Sequence, residues 1–183
     1  MTWCAAGKAR YIGASSMFAW QFAKALFTSD LRGYSRFVTM QNHYNLLYRE
    51  EEREMIPLCL DQRIGVLPWS PLGRGLLSGK RVGLQDKETK RAHSDGKLAE
   101  WYDDANLEIA FRLAERAAEL GYTPAQVAIA WLLHKPAVSA PVAGATKLQH
   151  LDDLVKAVTV QLSSSDLEYL EAPYIPREIQ GHQ

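Results

Sequence analysis

The feature that most limits what this chain can become is an alternation: a short β-rich apolar run followed by a stretch with helical spacing, met four times along the sequence. Arg10 to Ser15 (RYIGAS) leads into WQFAKAL, whose apolar residues recur every three to four positions. Phe37 to Gln41 (FVTMQ) is followed by the polar turn NHYNLLYRE and then EEEREMIPLCLDQ, whose acidic start suits the N-terminal end of a helix. Ile64 to Trp69 (IGVLPW) opens onto the loop SPLGRGLLSGK, where three glycines and one proline suit tight turns near a ligand. Val138 to Ala143 precedes the turn GATK and the helical LQHLDDLVKAV, with Leu148, Leu151, Leu154 and Val155 on one face.

Between the third and fourth units lie a polar stretch and two helices. Val82 to Asp104 is charged and without period, which predicts a long excursion. Asn106 to Leu120 carries one apolar stripe (Leu107, Ile109, Ala110, Leu113, Ala114, Ala117) and is stopped by Gly121. Thr123 is then a cap with Pro124 at the first helical position, and Val127, Ala128, Trp131 and Leu132 face inward until His134-Lys135-Pro136 ends the helix. SSSDLEYLEA adds a capped helical segment before the Pro-rich end. Strands alternating with helices imply an α/β fold with parallel pairing through right-handed crossovers, with functional loops at the C-terminal ends of the strands.

Composition narrows the function classes. Lys plus Arg and Asp plus Glu number 21 each among 183 residues, so no net field attracts nucleic acid or an anionic membrane. Cys4 and Cys59 lack CxxC or zinc-ligand spacing and read as plain thiols of a reducing compartment, with no disulfide or metal implied. The N-terminal MTWCAAGKAR has no signal-peptide apolar run, and no stretch reaches the roughly 18 apolar residues of a membrane span. The expectation is a soluble, cytoplasmic protein.

The strings GKARYIGASS, MQNHYNLLYREEE, GVLPWSPLGRGLLSGK, PAQVAIAWLLHKP and PVAGATKLQHLDD, in this order, resemble the C-terminal half of bacterial NADP-dependent aldo-keto reductases, from Gly7 to about Leu170. The resemblance implies half of a (β/α)8 TIM barrel: RYIGAS as strand five, FVTMQ as six, IGVLPW as seven and SAPVAG as eight, with residues 1–183 forming one partial domain. It implies hydride transfer from NADPH to aldehydes and ketones. It also puts the family's Tyr, Lys, Asp and His on the first four strands or the loops after them, so that no catalytic residue is assigned here and the chain alone is expected to be inactive. His43 and Tyr44 are substitutes for the missing acid in principle, but NHYNLL is similar to family sequence that does not play that part.

The same resemblance assigns a cofactor platform. Ser15, Ser16 and Gln41 would hold the nicotinamide carboxamide, with Ser16 standing where the family often has Asn. Trp69 would stack on the nicotinamide ring. Ser70, Pro71, Leu72, Gly73, Arg74 and Gly75 would strap the pyrophosphate. Gly144, Ala145, Thr146 and Lys147 would receive the adenosine 2′-phosphate at a helix N-terminus, with His150 and Asp153 near the adenine. Small polar residues closing a strand, a core tryptophan, or a charged helix surface explain the same residues without a ligand. Arg91 is a further candidate for the 2′-phosphate, weaker than a solvated-loop reading. A half barrel would expose two sheet edges and its apolar interior, which predicts a homodimer or a complementing N-terminal half. Three readings stay open: half of a split reductase, a fragment of a longer reductase, or an NADP(H)-binding module without turnover.

Overall fold

The computed structural model describes residues 3–79 and 102–180. Most of the expected excursion, with Arg91, lies outside the described residues.

Three parallel strands, β1 (Ile12–Ser15), β2 (Phe37–Gln41) and β3 (Gly65–Val66), lie side by side in chain order. Ala14 pairs with Met40 and Ser15 with Gln41, and Met40 pairs in turn with Val66. The fourth expected strand is present as two parallel bridges, Val66 to Val138 and Trp69 to Val142, so it extends the sheet on the side of β3. Met40 and Val66 are fully buried, against a helix layer formed by α1 (Ala19–Arg32) and α2 (Met55–Asp61) through Phe22, Leu26, Met55 and Cys59.

Four more helices follow: α3 (Asp104–Leu120), α4 (Pro124–Leu133), α5 (Leu148–Ala157) and α6 (Ser164–Glu171). The capping chemistry read from the sequence is present. Thr123 accepts the Gln126 amide while Gln126 reaches back to the Thr123 N–H, Pro124 opens α4, and Ser163 with Asp166 makes the same box for α6. Gly121 ends α3 in the left-handed conformation that its missing Cβ allows. Gln126 to Leu132 are all buried, so α4 is the central helix of the larger core, with Leu76, Leu77, Ile109, Leu113 and Leu170 around it.

One expectation needs correction. The acidic run does not open the helix itself: Glu50–Glu52 forms a 3-10 turn ahead of α2, with Glu50 and Glu51 buried. The apolar stripe of α5 is largely exposed, Leu148 at 81 % and Val155 at 70 %, while Ala157 is the helix's buried residue. Tyr11, before β1, and Trp20, Phe27 and Leu31 on α1 are also exposed. No helix among the described residues is long and apolar enough to cross a membrane.

Candidate functional site

The parallel register brings the C-terminal ends of the strands together, and with them the residues that distant parts of the sequence contribute. Ser15 Oγ donates to the Gln41 carbonyl (3.0 Å), and the Ser16 amide donates to the same oxygen (3.0 Å). Trp69 reaches across from the far end of β3, and its indole Nε1 donates to Ser16 Oγ (3.2 Å). Ser15, Ser16, Gln41 and Trp69, expected as one group, therefore meet at one sheet end. Trp69 and Gln41 are half-buried, a setting in which a flat ring with an amide substituent could find both an aromatic face and hydrogen-bonding partners.

The loop from Ser70 to Gly79 turns back on itself through left-handed backbone. Ser70, Gly73, Arg74, Gly75 and Gly79 all have positive φ, two of them in spite of a Cβ. Such conformations cost about 1–3 kcal/mol each for non-glycine residues and gather where a loop must present its backbone to something. At Gly73 a Cβ would lie 2.7 Å from Leu47 Cδ1, so packing as well as φ calls for glycine. Pro71 is buried and Leu72 half-buried on the larger core, which anchors the loop while Ser70 and Arg74 keep partial exposure.

The expected adenosine end is more open. Gly144, Ala145, Thr146 and Lys147 are exposed, Lys147 is the residue before the first turn of α5, and the Thr146 amide points to His150 Nδ1 at 3.5 Å. Asp153 has a structural engagement that the sequence did not show: its Oδ1 accepts from Gln126 Nε2 (2.9 Å), tying α5 to α4. Any adenine contact by Asp153 has to share the carboxylate with that bond.

Below Trp69 lies a group not foreseen as part of the platform. His43 is 1 % exposed and stacks on Trp69 at 4.3 Å between ring centroids, with Tyr48 stacked at 4.4 Å on the same imidazole. Its Nε2 is 3.1 Å from the Tyr102 hydroxyl. Burial first, then the charges of Arg74 and Arg177, lower the His43 pKa to about 3, so the ring is neutral at physiological pH. Tyr44 donates to Glu52 Oε1 (2.6 Å), and burial together with that carboxylate pushes its pKa well above the ordinary phenol value. The His43 ring is thus neutral and the Tyr44 hydroxyl committed to Glu52, a setting that does not favour either as a general acid.

The tail after α6 closes over the segment that follows the stack. Tyr174 donates to Glu50 Oε1 (2.7 Å), the Arg177 amide donates to the same oxygen (2.8 Å), and the Gln180 amide donates to the Tyr48 hydroxyl (2.9 Å). Burial works to raise the Glu50 pKa, but these bonds and Arg53 outweigh it and hold the carboxyl below its usual range. Asn45, Tyr48 and Tyr102 were all missed by sequence reasoning. Tyr102 fell in a polar stretch without period, and the only sign for the others was the density of Asn, His and Tyr between a strand and a helix. Among the described residues, no group of three or more His, Cys, Asp or Glu could hold a metal.

Residues 3–175 match the aldo/keto reductase family. The chain belongs to that family. An aldo-keto reductase of Fusarium vanettenii is 42% identical over 178 residues, covering 97% of this chain and 47% of that protein. Versiconal hemiacetal acetate reductase of Aspergillus parasiticus is 40% identical (94% of this chain, 50% of that protein), and an aldo-keto reductase of Alternaria alternata 41% (96% and 47%). These relatives are fungal, so the bacterial attribution in the resemblance has no support from them. This aldo/keto reductase chain spans about half the length of the curated relatives it matches.

Proposed function

We propose that this chain is the cofactor-holding half of an NADP-dependent aldo/keto reductase, corresponding to strands five to eight of the barrel. The observation that carries the reading is the convergence of Ser15, Ser16, Gln41 and Trp69 at the C-terminal ends of adjacent parallel strands, where α/β proteins place their ligands. Trp69 supplies an aromatic face and the serine and glutamine side chains supply partners for a carboxamide. The strap from Ser70 to Gly75 turns through left-handed backbone, with the Gly73 and Gly75 amides closing it on the Ser70 and Leu72 carbonyls, and it leaves Ser70 and Arg74 partly exposed to meet a pyrophosphate. Lys147 at the mouth of α5 favours a cofactor with a 2′-phosphate.

When bound, the nicotinamide would supply hydride to an aldehyde or ketone. The proton donor would come from the part of the barrel that lies beyond the span matched here, since the His43 ring is neutral and the Tyr44 hydroxyl is committed to Glu52. The exposed stripe of α5 and the exposed apolar side chains before β1 and on α1 offer surface on which a complementary half, or a second copy, would dock. An NADP(H)-binding module without turnover is the alternative at the same site.

The test is titration of the purified chain with NADPH, followed by tryptophan fluorescence. Saturable quenching at micromolar cofactor, lost in Trp69→Ala, supports the platform. Lys147→Ala should weaken NADPH roughly fivefold, about 1 kcal/mol, and leave NADH unchanged. A folded chain that gives no quenching would sink the cofactor reading.

A further inference from the structure

The imidazole of His43 has no outlet to solvent and no acid–base work to do, yet it is held on every side. Its Cα stands across from that of Trp69 in a parallel bridge, and the Trp69 amide donates to the Asn42 carbonyl (2.8 Å). Flat rings on facing positions of adjacent strands meet face to face, as His43 and Trp69 do; Tyr48, five residues on, stacks on the same imidazole, and the interplanar angle is 12° at both contacts.

Edgewise, Asn45 and Tyr102 fix the ring. Asn45 Nδ2 lies 3.3 Å from His43 Nε2 and 3.3 Å from the Tyr102 hydroxyl, and donates to the Ser70 carbonyl (2.9 Å). Asn45 Oδ1 accepts from the Leu47 and Tyr48 amides, which settles which side of the amide carries the hydrogens. An amide nitrogen only donates, and the Tyr102 hydroxyl that receives it is left to donate to Nε2. A neutral ring with Nε2 accepting from the Tyr102 hydroxyl fits this network. A neutral ring here does not repel a cationic oxidised nicotinamide placed on the same stack, as an imidazolium would.

We propose that His43 is a positioning residue for the nicotinamide-binding face: its ring fixes the plane of the Trp69 indole, and the Asn45 amide ties that plane to Ser70 at the head of the strap. The inference rests on Trp69 being the cofactor's stacking surface. An indole without support would choose among rotamers and lose that freedom on binding, whereas one already held in place binds without that loss. The ring rather than the polar atom is the essential part, because it is the ring that touches Trp69.

Two variants separate the parts. His43→Gln keeps a polar acceptor of similar reach and removes the ring; His43→Phe keeps the ring and removes the acceptor. In the full chain labelled with 5-fluorotryptophan, the Trp69 line among the five is assigned with Trp69→Phe and read without cofactor. Affinities for NADPH and for 2′,5′-ADP, which probes the adenosine end alone, are then measured. His43→Gln should shift and broaden the Trp69 line and weaken NADPH about three- to tenfold with 2′,5′-ADP unchanged. His43→Phe should keep both within about twofold, on the expectation that a stacked ring suffices. An unmoved Trp69 line with unchanged NADPH affinity in His43→Gln overturns the proposal, and so does an equal loss of NADPH and 2′,5′-ADP. If His43→Gln does not fold, a His43→Phe chain that folds but has lost the Trp69 line position and NADPH affinity overturns it too. A moved Trp69 line in a wild-type background that does not respond to NADPH shows that the cofactor reading has failed, and the proposal with it, although the lock on the indole is real.

Discussion

Glu51 is 6 % exposed, and its Oε2 accepts from Asn42 Nδ2 at 2.8 Å. Burial, opposed by that bond and reinforced by neighbouring Glu50, raises its pKa to about 7. An unfolded glutamate gives up its proton near pH 4.3. Between that pH and about 7 the native state holds more protons than the unfolded one, so this residue makes stability fall as pH rises. The penalty is complete above pH 7 and of the order of 3 kcal/mol. Glu51→Gln keeps an acceptor for Asn42 without the charge. Urea unfolding should show the variant near wild type at pH 4.5 and more stable by up to roughly 3 kcal/mol at pH 8. A stability difference independent of pH would mean that Glu51 does not titrate in this window.

At the scale of elements, α4 and α5 make the sharpest contrast, for both have ten residues and an apolar pattern, yet α4 is buried almost throughout while most of the α5 stripe is exposed. Leu132→Ala in α4 removes a fully buried side chain and should cost about 2–5 kcal/mol in urea unfolding. Leu151→Ala in α5, 48 % exposed, should stay within about 0.5 kcal/mol in the same chain. The pattern that identified the helices is a local property, and Gly121 after α3, Thr123 and Pro124 at α4 and Ser163 at α6 marked helix ends because capping is local as well. Which face a helix buries depends on what stands opposite, and that is not written within the helix itself. For the same reason Ser15, Gln41 and Trp69 were legible as a group through the family resemblance. The His43, Asn45 and Tyr102 web was not, because residues 43 and 102 meet only through the tertiary fold.

For the whole molecule, Leu148 and Val155 on α5 and Trp20, Phe27 and Leu31 on α1 are exposed apolar side chains of the kind that a partner covers. Sedimentation velocity should show concentration-dependent association of the purified chain. Leu148→Glu combined with Val155→Glu should reduce it while unfolding remains within about 0.5 kcal/mol of wild type, since neither side chain is packed. A double variant that associates as before would place the interface elsewhere.

The contacts of Glu50 also bear on when the chain can finish folding as it is made. Tyr174 and Arg177 reach this carboxylate from 124 and 127 residues further along. At about 5–20 residues per second, the ribosome delivers them roughly 6–25 s after Glu50 itself. Throughout that interval the Glu50 carboxylate has Arg53 beside it but lacks Tyr174 and Arg177, so this corner cannot take its final form until those residues are made.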